Sequence, residues 1–237
     1  MNRKEWSLTY RLQEHGHDKY FEPDFKFLWP TADESLHGDI PTLAQLDTEV
    51  FPLVKEKRVV VQAGGAMGMW AKRMSQVFDV VYTFEPTPQS FHCLNFNCPE
   101  ENIVAFNAAL GEKPGMINMQ FPEHKARSKT GKDNFGGFRC FPGGYIPTMR
   151  LDDLELPHCD LLFLDLEGFE LFALKGAIAT ITQHHPVIVM EDKGCSRAFG
   201  YEKGAVENYL RDNADYKTLG RFHGGRDVVC VHRSFAQ

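Results

Sequence analysis

The feature that most constrains this chain is an alternation of short apolar runs with amphipathic stretches, which begins at Val59. VVVQAG leads into a helix from about Met67, VVYTFEP into a helix from about Pro88, and IVAFNAAL follows. Short apolar runs separated by helix-length spacers read as β-α-β units, and such units build a parallel sheet with helices on both faces. The alternation resumes with DLLFLDLEG, a helix over about 169–182, the strand PVIVMED and a helix over about 202–213. Two strands close the sequence, YKTLGRF and DVVCVHR, joined by HGGR, and the Gly-Gly link marks them as a hairpin.

A length of 237 residues suits one α/β domain with a single core. Residues 1–55, rich in aromatics and proline as in YFEPDFKFLWP, read as an N-terminal extension or cap, with a short helix around 42–54. Residues 56–237 form the main domain. Within it, 122–147 is polar and glycine-rich without sustained period, and reads as an inserted loop. That loop sets Lys125, Arg127, Lys129, Lys132 and Arg139 against Asp133 and Glu123, a local positive excess suited to an anionic substrate, although solvated loops commonly carry such charge runs.

The formal net charge of -6 argues against a general nucleic-acid binder, which needs a broad basic face to neutralise phosphates. No apolar stretch is long enough for a signal peptide or a membrane span, so a cytoplasmic protein without membrane association is expected. The six cysteines form no CxxC pair and no zinc-like cluster, and read as reduced, mostly buried thiols.

The chemistry gathers at strand ends. The first strand runs out into Gln62, Gly64, Gly65 and Gly68, a turn where glycine lets backbone approach a ligand closely. Glu85 ends the second strand, with Pro86 behind it, twenty residues after Gly65; an acid there suits the two hydroxyls of an adenosine ribose. Asn107 and Ala108 end the third strand, where a small residue beside a polar one leaves room for an adenine ring. Asp165, Glu167 and Glu170 crowd the next strand tip. The first two are expected to face the site and Glu170 to support the helix start. His184 and His185 read as helix-end residues.

Taken together, VVVQAGGAMGMW, YTFEPTPQSFHCLNFN, FNAALGE, MRLDDL and LFLDLEGFELFALKGA with PVIVMED resemble the FkbM-type S-adenosylmethionine-dependent methyltransferases over roughly 59–192. The resemblance implies a Rossmann-like class I methyltransferase fold, α/β, whose seven-stranded, mostly parallel sheet ends in an antiparallel strand. It implies methyl transfer, usually to a hydroxyl. By it, Gly64, Gly65 and Gly68 wrap the methionine part of S-adenosylmethionine, Glu85 with Pro86 holds the ribose, Asn107 and Ala108 border the adenine, and Asp165 lies near the sulfonium. The chain departs from the family pattern twice. Gln62 stands where an acid is usual, able to hydrogen-bond the cofactor without charge, and Phe163 stands where a lysine is usual.

The expected acceptor is a hydroxyl on a sugar, glycan or other small molecule, with Asp165 or Glu167 taking its proton. Glu191 and Asp192 beside Asp165 are also a conceivable Mg²⁺ group, but ordering of polar loops is the favoured reading and no metal ligand is assigned. Two other readings stay open. An NAD-dependent oxidoreductase would share Gly65, Gly68 and Glu85 but leaves DLEGFE and the terminal hairpin unexplained. A catalytically degenerate cofactor-binding protein would account for Gln62 and Phe163.

Overall fold

The structure, a computed structural model, describes residues 7–8, 27–29, 40–120 and 138–235. The basic cluster Lys125, Arg127, Lys129 and Lys132, with Glu123 and Asp133, lies outside the described residues, as does most of the aromatic N-terminal stretch.

The central sheet is built from β1 (Val59–Ala63), β2 (Val80–Phe84), β3 (Ile103–Phe106), β4 (Leu161–Leu164), β5 (Val187–Glu191), β6 (Tyr216–Phe222) and β7 (Asp227–His232). Their spatial order is β6-β7-β5-β4-β1-β2-β3. Strands β1 to β5 pair in parallel, and β7 runs antiparallel to both β5 and β6. The terminal hairpin is present, its turn at His223–Gly225, with a bulge between Thr218 and Gly220. Every residue of β1, β4 and β5 is buried, which is why these strands read as continuous apolar runs: both of their faces are covered. The edge strand β3 is partly exposed instead.

The helices are α1 (Ile40–Gln45), α2 (Met69–Ser75), α3 (Pro88–Asn97), α4 (Glu170–Lys175), α5 (Ile178–His184) and α6 (Ala205–Ala214). On one face of the sheet Val60, Val81, Phe163 and Val189 pack with Met69, Trp70 and Met74 of α2. On the other face Val61, Leu162 and Ile188 pack with Leu171, Leu174, Ile181 and Leu210 of α4 to α6. The strand period of two thus divides alternate residues between two apolar layers.

After α1 the chain continues as a π-helical turn, Leu46–Val50, and a 3-10 turn, Phe51–Leu53, in the region where a short helix was predicted. Leu43, Leu46, Val50 and Phe51 enter the same apolar layer as β1 and α2. Ser7–Leu8 pairs with Leu28–Trp29, and Asn97 at the end of α3 fastens that segment. Its Oδ1 accepts from the Leu28 amide at 2.6 Å, and its Nδ2 donates to the carbonyls of Leu28 (3.0 Å) and Met67 (2.7 Å).

Three expectations need correction. The helix predicted over 169–182 is two helices, α4 and α5, because Asp152 takes the backbone groups a continuous helix would pair: its amide donates to the Gly176 carbonyl at 3.0 Å and its carboxylate accepts from the Ala179 and Thr180 amides at 3.2 and 2.9 Å. The run IVAFNAAL divides, with Ala109–Leu110 leaving the main sheet. Those two residues join a four-stranded sheet in the order Ala109–Leu110, Ile146–Met149, Gly115–Gln120, Arg139–Pro142. The described part of the predicted 122–147 loop is therefore largely strand. Its pairing partner, Gly115–Gln120, lies well back in the sequence, so no local period announces it.

Asn97 is fully buried. Asn97→Ala leaves the Leu28 amide and two carbonyls without their partner, and we expect a loss of about 2–4 kcal/mol in urea unfolding. A change within experimental error would show that the segment around Leu28 is not fastened there.

Candidate functional site

The carboxyl ends of β1, β2 and β4 meet at one edge of the sheet. The turn after β1 is stitched to β2, for the amides of Gly64 and Gly65 both donate to the Phe84 carbonyl, at 3.0 and 2.9 Å. It also presses on β4. A Cβ on Gly64 would sit 1.9 Å from the Asp165 carbonyl oxygen, and Gly64 holds φ at +88°, so both space and backbone conformation demand glycine. Gly68, at the N-terminal boundary of α2, closes the turn by donating its amide to the Gly65 carbonyl at 2.8 Å.

Glu85 follows β2 directly. Its Oε2 accepts from the Ala66 amide at 2.8 Å and its Oε1 from the Thr87 amide at 2.7 Å, which locks the carboxylate against the glycine turn. The Thr87 side chain also hydrogen-bonds this carboxylate. Burial drives the Glu85 carboxyl up to about 7, with the hydrogen bonds from the Thr87 amide and side chain and from the Ala66 amide opposing the shift. Asn107 fastens the next strand end by donating Nδ2 to the carbonyls of Glu85 (2.8 Å) and Pro86 (3.2 Å); Ala108 beside it is buried.

Gln62 does not face the cleft. It is fully buried, paired across the sheet with Thr83 and Phe163, and both ends of its amide are taken: Nε2 donates to the Gly64 carbonyl at 2.8 Å and Oε1 accepts from the Thr83 hydroxyl. It braces the glycine turn from within. Phe163 is likewise a core residue, packed against Trp70 with ring centroids 5.3 Å apart and the planes tilted by 32°. Neither departure from the family pattern puts an altered side chain into the cleft.

Beyond β4 the DLEGFE segment turns tightly. Glu167 (φ +53°) and Gly168 (φ +105°) both take left-handed backbone, and Glu170 secures the turn by accepting from the amides of Leu166 (2.9 Å) and Gly168 (3.3 Å). That is the supporting part expected of Glu170, whose carboxyl burial raises to about 7. Asp165, Glu167 and Glu191 place carboxylate oxygens within 4.8 Å of one another. Burial and the neighbouring Glu191, Glu167 and Glu170 charges push the Asp165 carboxyl well above its ordinary range, with Lys193 opposing.

Lys193 was not singled out in the sequence. Its ammonium lies 2.7 Å from both Glu167 Oε1 and Glu191 Oε2, which sets a positive charge among these acids. The signal was the sequence EDK at the end of the fifth strand, in which Asp192 turns away instead. Asp192 accepts from the Gly204 amide at 2.9 Å, so it orders a loop rather than joining Asp165.

The Glu85 and Glu170 carboxyls, both raised to about 7 from 4.5, hold protons in the folded state that the unfolded chain has already released. Stability should therefore fall as pH rises between about 4.5 and 7. Glu170→Gln should flatten that slope in urea unfolding followed across the window, and an unchanged slope would contradict the assignment.

The family model described as Methyltransferase FkbM domain matches residues 69–218. Among solved structures, an FkbM methyltransferase from Methylobacillus flagellatus KT aligns with a TM-score of 0.50 at 18% identity, over 75% of this chain and 44% of that one. Trm5b from Pyrococcus abyssi aligns with a TM-score of 0.45 at 12% identity, over 89% of this chain and 53% of that one. TYW2 from M. jannaschii, solved in complex with AdoMet, gives 0.41 at 14% identity, over 87% and 80%. This chain thus spans about half the length of the first two. No curated protein matches it. The sheet order and the antiparallel β7 are those of the Rossmann-like class I methyltransferase fold. With a family match over more than half of its length, this chain belongs to the FkbM methyltransferase family.

Proposed function

We propose that this chain transfers a methyl group from S-adenosylmethionine to a hydroxyl of a sugar, glycan or other small-molecule acceptor. The observation that carries the reading is the joint between Gly64 and the Asp165 backbone at the end of β4, which brings the glycine turn, with the buried ribose-type acid Glu85 locked to it, to the strand end that carries Asp165. The donor set fits the cofactor. Glu85 offers acceptor lone pairs to the ribose hydroxyls, the turn from Gly64 to Gly68 lets the methionine part lie close to backbone, and Asn107 with Ala108 borders the adenine. When bound, S-adenosylmethionine supplies an electrophilic methyl group on a cationic sulfur.

The protein's own work is then alignment and proton handling. For an acceptor oxygen to displace the methyl group, with the electron pair of the broken bond left on sulfur, the protein's residues would have to hold oxygen, carbon and sulfur in line and exclude water. The hydroxyl proton needs a base, and Asp165, free of a side-chain hydrogen bond among the described residues, is the carboxylate best suited to take it. Glu167 is tied to Lys193 and has Cys195 Sγ 3.5 Å from its other oxygen, so it serves orientation more than proton transfer. Family membership weighs against the nicotinamide reading. The degenerate reading loses its motive where Gln62 and Phe163 prove to be internal supports. A cytoplasmic location remains part of the proposal; among the described residues no helix is long and apolar enough to cross a membrane.

A panel of hydroxylated acceptors, sugars foremost, assayed with methyl-labelled S-adenosylmethionine tests the reading. On the acceptor that turns over, Asp165→Asn should lower kcat by about 100-fold or more with S-adenosylhomocysteine affinity little changed, whereas Glu167→Gln should cost less. Tight S-adenosylhomocysteine binding with no turnover on any acceptor would favour the degenerate protein instead.

A further inference from the structure

Asp165, Glu167 and Glu191 supply hard oxygen donors at a spacing that a divalent ion accepts, their oxygens lying within 4.8 Å of one another. A side chain of the chain itself already stands among them. Lys193, two residues beyond the end of β5, sets its Nζ 2.7 Å from Glu167 Oε1, and 2.8 and 2.7 Å from Glu191 Oε1 and Oε2. Its side chain is 23% exposed and its ammonium is held by these contacts. An ammonium is a compact point charge with three donors, and it uses the same lone pairs that a metal ion would need. Two cations side by side on Glu167 and Glu191 would repel strongly in so buried a setting.

We propose that Lys193 is the resident cation of this carboxylate group, holding Glu167 and Glu191 in the place a divalent metal would take and leaving Asp165 to face the acceptor. Lys193 is thus a positioning residue. The consequence that methyl transfer proceeds without a metal rests on the function proposed above; the occupancy of the carboxylates by Lys193 does not. The arrangement also explains why a group of acids at a strand edge stays assembled, since without a cation Asp165, Glu167 and Glu191 would repel one another.

Mn²⁺ titration by calorimetry and electron paramagnetic resonance, read separately from S-adenosylhomocysteine binding, tests this on the whole chain. Wild type should bind no Mn²⁺ at millimolar concentration. Lys193→Met, which keeps the stem and removes the charge, should gain Mn²⁺ affinity by roughly tenfold or more, and the added Asp165→Asn should abolish the gain. Lys193→Arg should behave as wild type. Mn²⁺ binding by wild type that Asp165→Asn removes would overturn the proposal, whether or not Lys193→Met folds; a folded Lys193→Met that gains no Mn²⁺ affinity would overturn it as well. Loss of S-adenosylhomocysteine binding in wild type would count against the methyltransferase reading and leave the cation question to the Mn²⁺ result.

Discussion

The joint between Gly64 and Asp165 governs the geometry of the whole edge. The Asp165 amide donates to the Ala63 carbonyl at 3.0 Å, and the Asp165 carbonyl occupies the space where a side chain on Gly64 would be. One contact therefore fixes where β1 ends, where the glycine turn begins and where the first carboxylate of DLEGFE emerges. The two Phe84 hydrogen bonds then carry the position of the turn to β2, and Glu85, caught between the Ala66 and Thr87 amides, follows from it. Backbone contacts of this kind are short and stiff, so residues far apart in sequence reach the edge with little freedom left to lose on binding.

Burial at that edge has an electrostatic cost, and the structure meets it in different ways. Glu170 and Glu85 are satisfied by backbone amides, yet burial still raises both carboxyls. Glu167 and Glu191 are paired with Lys193, whose own proton is held more tightly by the two charges. Asp165 has neither arrangement, and its carboxyl carries the combined effect of burial and acidic neighbours. A carboxylate in that condition attracts protons more strongly than an exposed one, as a base for an acceptor hydroxyl requires.

Much of this was legible in the sequence because it was local. Five apolar runs, a glycine turn after the first, an acid at the tip of the second and a Gly-Gly hairpin at the end all follow from periodicity and turn chemistry within short windows. The features that escaped depend on distant partners. The strand Arg139–Pro142 exists because Gly115–Gln120 pairs with it, and the break between α4 and α5 exists because Asp152, remote along the chain, pairs with the Gly176 carbonyl and the Thr180 amide. Gln62 reads as a cofactor residue by position, but register across the sheet turns it toward Thr83. Lys193 escaped for the same reason: an ion pair with Glu167, remote along the chain, has no sequence period.

Calorimetric titration with S-adenosylhomocysteine, with NAD in parallel, on wild type and Glu85→Ala, tests the central claim most directly. The account predicts that S-adenosylhomocysteine binds, that Glu85→Ala weakens it by about tenfold or more, and that NAD does not compete. Equal binding by Glu85→Ala, or preference for NAD, would contradict it.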